Sequence, residues 1–258
     1  MPFHKPLPFF FAAALLVAPW IAHAQTDLSP RLAPLIEGTD VPAVAALTIR
    51  EGRVSGLGAA GVRDLESRDP VMAGDVWHIG SDGKAMTATM IARLVEQGVL
   101  SWDATLEQML PALAAEMQPA YRDATLEDLL SHRAGLPDII GLEETLAYFS
   151  DTRPLPDQRF EYARRALGMD AVAQPRTTSN YSNSGYVLAA VIAEQATAKS
   201  TETLLQEPVL APLEMTTARF GATSRGQPLG HEAGKPLTGD HGGQPRCSGP
   251  RGRTAHEP

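Results

Sequence analysis

The junction at Gly80-Ser81 constrains this chain most. Before it lies a short apolar, strand-like run, Val76-Trp77-His78-Ile79. After it, from Asp82, Met86, Met90, Ile91, Leu94 and Val95 recur on one face at helical spacing, and Gly98 is a suitable stop. Upstream, Ala43–Arg50 and Val54–Val62 flank Glu51-Gly52-Arg53 and predict a β-hairpin over Val41–Val62. Ser29–Ile36 reads as a short helix. Downstream the pattern is helical: Leu106–Ala115 around Pro111, then a segment from Thr125 with Asp128 completing a capping box and a stop at Gly135-Leu136-Pro137. Leu142–Phe149 and Phe160–Leu167 read as short surface helices, Ser184–Ala198 as a longer apolar one, and Thr201–Leu213 as another. The expected fold is α/β (α+β): an antiparallel sheet with a helical subdomain from about Gly80 to Leu213.

The same junction carries chemistry. Ser81 and Lys84 are three residues apart, so one helical turn puts both side chains on one face. A serine attacks poorly until its proton can leave, and an amine within reach can take that proton if burial or a nearby cation weakens its hold on its own. A helix N-terminus also favours a developing oxyanion. On spacing alone, an N-cap serine beside an exposed lysine is the commoner meaning. Further on, Tyr181-Ser182-Asn183 lies in a polar loop that opens a helix. A phenol beside an ammonium is pushed toward phenolate and can act as a general base, and an amide can orient a substrate carbonyl and the lysine. Taken alone, Tyr181 would be a half-buried loop tyrosine.

Other chemistries fail on the residues. A net charge of −8 with no basic run argues against a nucleic-acid partner. Gly83-Lys84 is not a phosphate-binding loop, because His78 stands where that loop needs Gly and Ala85 where it needs Ser or Thr. There is no His-Glu-x-x-His and no cysteine pair, so no metal or other cofactor is expected. His231 and His241 fall in a tail without a scaffold for a metal site. Cys247, the one cysteine, reads as an incidental thiol in that tail.

Residues 1–24 read as a secretory signal peptide. Lys5 precedes the apolar run Pro8–Ile21, and Ala22-His23-Ala24 fits a cleavage site that leaves Gln25 first. The run is too short for a spanning helix, so no stable membrane anchor is expected after cleavage, and the location is periplasmic or secreted. Residues 25–221 then form the folded domain. Residues 222–258 form a Gly/Pro-rich irregular tail, with neither strand nor helix periodicity from Gly226 onward.

Several ordered segments together resemble the serine β-lactamase and penicillin-binding-protein family, especially the class C β-lactamases and related esterases. They are the Ser81-x-x-Lys84 junction, Trp77 through Pro111, the stretch Leu129-Leu130-Ser131-His132-Arg133-Ala134-Gly135-Leu136-Pro137, and Tyr181-x-Asn183. The resemblance spans roughly residues 34–220. It implies an acyl-enzyme hydrolase of β-lactam, ester or D-amino-acid amide substrates, small or peptidoglycan-like. Ser81 would be the nucleophile and Lys84 the acceptor of its proton. Tyr181 would exchange protons with Ser81 and the leaving group, Asn183 would position substrate and Lys84, and the Ser81 N–H would be one oxyanion donor. His132 is read as structural.

The chain departs from the family in one element. The resemblance implies a Lys/His-x-Gly strand that supplies the second oxyanion donor, followed by more strands. His241-Gly242-Gly243 has the composition but no β-branched flanks, and it is read as coincidental. Past about Gln244 nothing is family-like, as after a shifted frame or a premature stop. The expectation is therefore a sheet lacking later strands, with an open edge and an uncovered apolar face, a half-built oxyanion hole, and little or no turnover. The alternatives are a catalytically inactive member and a slowly deacylating D-Ala-D-Ala peptidase.

Overall fold

The hairpin is set by its turn. In the computed structural model, which describes residues 25–138, 151–221, 223, 226–232 and 235–236, Glu51 and Gly52 both take left-handed backbone (φ 51° and 72°). That is the turn handedness that matches the twist of paired antiparallel strands. Strands β2 (Ala43–Arg50) and β3 (Arg53–Gly61) pair across it, with one irregularity at Thr48/Ile49. A two-residue strand β1 (Thr26–Asp27) runs parallel to β3 on its other side, giving the order β1-β3-β2. The sheet is thus mixed, where an antiparallel one was expected. The parallel addition is short because the chain leaves β1 at once into helix α1 (Ser29–Ile36).

Helix α1 lies on the hairpin where β3 carries glycine. A Cβ at Gly58 would sit 2.3 Å from the Ser29 nitrogen, and one at Gly56 would meet Leu28. On the other face, Leu47 and Ile49 are 55% and 66% exposed. Among the described residues no strand pairs with the outer edge of β2. Within the described residues the outer edge of β2 is therefore unpaired and this face is exposed.

The core lies in the helical layer. Helix α2 (Gly83–Glu96) follows a 3-10 turn at Gly80–Asp82 and buries Met90, Ile91 and Leu94. These pack with Leu126 and Leu129 of α4 (Leu126–Leu130), with α5 (Leu155–Gly168), and with Val187, Leu188, Val191 and Ile192 of α6 (Asn183–Thr197). Each such side chain contributes roughly 1.5–3 kcal/mol by leaving water. The Thr125/Asp128 capping box is formed as expected, and Arg176 adds an ion pair to Asp128 at 2.7 Å. Deeper in, Arg159 of α5 is 2% exposed and bridges Glu194 of α6 to Glu202 of α7 (Thr201–Leu205).

Several elements differ from expectation for identifiable reasons. Val76–Ile79 forms no strand: the Val76 N–H donates to the Gln227 side chain at 2.6 Å in place of a ladder partner. The helix expected over Leu106–Ala115 is α3 (Leu106–Met109) plus a 3-10 turn Pro111–Leu113. Leu110 is forced out of helical backbone (φ −125°, ψ 56°) by the proline after it. Helix α4 stops at Leu130, before Gly135, because His132 turns left-handed. Helix α5 starts at Leu155, where Pro156 suits a first turn. Helix α7 passes into a π turn, Gln206–Leu210, because Pro208 has no N–H to continue the α pattern. The region expected to lack periodicity contains a two-residue ladder, β4 (His231–Glu232) with β5 (Lys235–Pro236), too short to show a period. His231 is held there, its Nε2 accepting the Leu65 N–H at 3.1 Å. The expected helix Leu142–Phe149, the signal peptide, Cys247 and His241-Gly242-Gly243 lie outside the described residues. No helix among the described residues is long and apolar enough to cross a membrane.

Candidate active site

Ser81 occupies the 3-10 turn that leads into α2, and Gly80 before it turns left-handed (φ 52°), which glycine adopts without steric cost. One turn on, the Lys84 ammonium donates to Ser81 Oγ at 3.1 Å. Tyr181 comes from the loop before α6, a hundred residues later, and its hydroxyl lies 2.7 Å from the same Oγ. Asn183 opens α6, and its Oδ1 accepts from Lys84 at 2.6 Å. The structure therefore brings together all four residues singled out from the sequence.

The loop after α4 is the template for the Tyr181–Asn183 segment. His132 O accepts the Asn180 N–H at 2.8 Å, and His132 Nδ1 accepts the Ser182 N–H at 3.1 Å. Leu136 O accepts from the Asn180 side chain, and Pro137 O from the Ser182 hydroxyl. The Asp138 carboxylate accepts both the Asn183 N–H (3.1 Å) and its Nδ2 amide (2.9 Å). That second bond fixes the amide so that Oδ1, and not the NH2 group, faces Lys84. Gly135 lets the loop pass close to the chain beyond α5: it is left-handed (φ 73°), and a Cβ there would lie 2.1 Å from Ala173 O.

The electrostatics favour an ionisable phenol. Lys84 by hydrogen bonding, and then the Ser81 hydroxyl, hold the Tyr181 phenol below its usual range. The ammonium also sits 4.7 Å from the centre of the Tyr181 ring and 5.5 Å from that of Tyr186. Tyr181 is 48% exposed and Ser81 is exposed, so the reacting atoms face solvent. Behind them opens a cavity of about 740 Å³, lined by Ser81, Lys84 and Asn183 at one part and by Trp77, Tyr186 and Phe220 among its apolar walls. That is within the usual size of small-molecule sites.

The sequence did not single out Asp138, Tyr186 or the position of His132 against the Tyr181 ring. Asp138 follows the Gly135-Leu136-Pro137 turn directly, and that adjacency is the one signal that could have flagged it.

The comparisons with known proteins concern the family and the fold. The Beta-lactamase family profile matches residues 28–249. Penicillin-binding protein 4* of Bacillus subtilis (strain 168) is 27% identical over 159 residues, 62% of this chain and 34% of that protein. The penicillin-binding protein homologue from Pyrococcus abyssi superposes with a TM-score of 0.58 at 29% identity, over 73% of this chain and 42% of that one. The D-amino acid amidase from Ochrobactrum anthropi SV3, in complex with L-phenylalanine amide, gives a TM-score of 0.57 at 26% identity, over 73% of this chain and 49% of that one. The chain spans less than half the length of each of these three relatives.

Proposed function

The chain belongs to the β-lactamase family, and from that membership we propose that it is an exported serine acyl-transfer hydrolase that forms an acyl-enzyme on Ser81. The observation that carries the reading is the hydrogen-bonded set Ser81, Lys84, Tyr181 and Asn183 at the mouth of the cavity.

Two groups could take the Ser81 proton. Tyr181 is closer, at 2.7 Å against 3.1 Å for Lys84, and its phenol is the one pushed toward its anion. Lys84 is anchored on the other side, donating to Asn183 Oδ1 at 2.6 Å. Tyr181 is therefore the first acceptor, and Lys84 is the cation that steadies the phenolate. This reverses the order that the resemblance alone implies. After attack, the Tyr181 proton passes to the leaving group, and the phenolate so formed activates water for deacylation.

Substrates are small acyl compounds: β-lactams, esters or D-amino-acid amides. The apolar walls of the cavity suit an uncharged acyl or side-chain group. The second oxyanion donor that the resemblance places on a later strand is not among the described residues. Export rests on the leader pattern in residues 1–24, and an N-terminus beginning at Gln25 in the periplasmic fraction would test it.

A fluorescent penicillin decides the reading. Stable labelling that Ser81→Ala abolishes is the expected result for slow deacylation, and rapid release would mean efficient turnover. A folded chain that is labelled by neither the penicillin nor a fluorophosphonate would leave an inactive family member.

A further inference from the structure

His132 stands behind the phenol. It follows α4 in left-handed backbone (φ 60°), and its ring packs 4.7 Å from the Tyr181 ring and 5.3 Å from the Tyr186 ring, centre to centre. Its carbonyl holds the Asn180 N–H and its Nδ1 holds the Ser182 N–H, so both backbone neighbours of Tyr181 are tied to this one residue. An acceptor at Nδ1 needs a lone pair there, so the ring is neutral with its proton on Nε2. We propose that neutral His132 is the positioning residue that sets the Tyr181 phenol against Ser81, and that its protonation releases the Tyr181–Asn183 loop and switches acylation off at acid pH. The proposal deepens the serine-hydrolase reading and rests on it.

The groups that face His132 decide where the switch lies. They are Lys84 from α2, Tyr186 from α6, Tyr181 on the loop and Asp138 on its own segment. Burial first, and the Lys84 charge second, hold its proton affinity below the usual histidine value, while Asp138 works in the other direction. The ring therefore stays neutral through neutral pH and charges only below the ordinary range near about 6.5. Once charged it can no longer accept the Ser182 N–H, and it adds a second cation to the Lys84 neighbourhood.

Two substitutions separate ring packing from hydrogen bonding. His132→Asn keeps an acceptor near the Nδ1 position, tolerates the left-handed backbone and cannot titrate. His132→Phe keeps a ring against Tyr181 and removes the acceptor. The first readout is the rate at which a fluorophosphonate labels Ser81 from about pH 5 to about pH 9, a span that brackets the histidine range. The second is the 13Cζ NMR titration of the Tyr181 phenol in the resting protein. Wild type should lose labelling toward acid in two steps: an upper one with the Tyr181 phenol, and below it an acid limb whose midpoint is the one at which the His132 ring signal itself titrates. His132→Asn should lack that acid limb and restore the plateau rate to within about threefold, and His132→Phe should be slower by on the order of ten- to a hundredfold at every pH. In His132→Phe the Tyr181 phenol should also titrate closer to free tyrosine. An unchanged Tyr181 titration in His132→Phe, or a wild-type acid limb in His132→Asn, overturns the proposal. The phenol titration needs no turnover: a wild-type Ser81 that no probe labels would sink the hydrolase reading, and the Tyr181 midpoint would still decide the role of His132.

Discussion

The Lys84 ammonium is closer to Asn183 Oδ1, at 2.6 Å, than to Ser81 Oγ, at 3.1 Å. The amide is therefore the main anchor of the cation, and Asp138 in turn fixes the amide. The nucleophile keeps the shorter bond to Tyr181. The arrangement divides labour: one side chain holds Lys84 in place, another removes the proton.

Asn183→Asp tests that division. A carboxylate at this position would bind the ammonium as a full ion pair and would stand against the Asp138 carboxylate, which now accepts two hydrogen bonds from Asn183. Drawn toward the new charge, Lys84 would leave the phenol without its cation. Ser81 labelling should fall by on the order of 10² or more, with the fold retained by circular dichroism. Labelling within a fewfold of wild type would remove Asn183 from the site.

Tyr181 should govern the alkaline side of the rate profile. Lys84 and then Ser81 favour its anion, so the phenol titrates below the ordinary value of about 10. The labelling rate should therefore rise with pH through that lowered midpoint and level off above it. Tyr181→Phe should lose on the order of 10²–10⁴ in rate and with it the rising limb. Its ring still packs on His132, so the melting temperature should hold. A full-rate Tyr181→Phe would return the proton to Lys84.

Tyr121 offers a test of stability independent of the site. It is fully buried, and its hydroxyl has no hydrogen-bond partner among the described residues. Burial, with Asp170 adding, pushes its phenol up to about 12. Removing an unpartnered buried hydroxyl while keeping the ring should stabilise, so Tyr121→Phe is expected to gain about 1 kcal/mol in urea unfolding. The raised value also sets a sign. Between the unfolded value near about 10 and the folded one, the unfolded chain releases a proton that the folded chain keeps, so wild type should lose stability as pH rises there. Tyr121→Phe should lose less. A destabilised Tyr121→Phe would mean that the hydroxyl has a partner.

Much of this was legible in the sequence because it is local. The hairpin follows from Glu51-Gly52 between two apolar runs, and the α4 cap from Thr125 and Asp128. Ser81 and Lys84 meet because a helical turn makes them meet, whereas Tyr181 and Asn183 reach them through tertiary packing and were found by family resemblance. What stayed hidden was carried by single long-range contacts. Val76 gives its N–H to Gln227, so an apolar run that looks like a strand is not one. Asp138 and His132 act through backbone groups of the Asn180–Asn183 segment, and no spacing in a sequence encodes which N–H a side chain will meet.

The outer edge of β2 gives the last prediction. Its residues Ala43 to Ile49 carry no charge and no proline, the two devices that most often blunt an edge strand. Leu47 and Ile49 stand out from the sheet on the face that α1 does not cover, and no described strand pairs beyond β2. An antiparallel copy of the same strand would satisfy both the free backbone groups and the apolar face, so the chain should associate as its concentration rises. Ile49→Lys places a charge where the side chain is 66% exposed, so it removes little buried area and should change the unfolding free energy by no more than about 0.5 kcal/mol. It should nevertheless shift sedimentation velocity profiles toward monomer at concentrations where wild type self-associates. Identical profiles for the two proteins would show that the edge is already protected. Identical stability with altered association would place the effect on the edge and not on the fold.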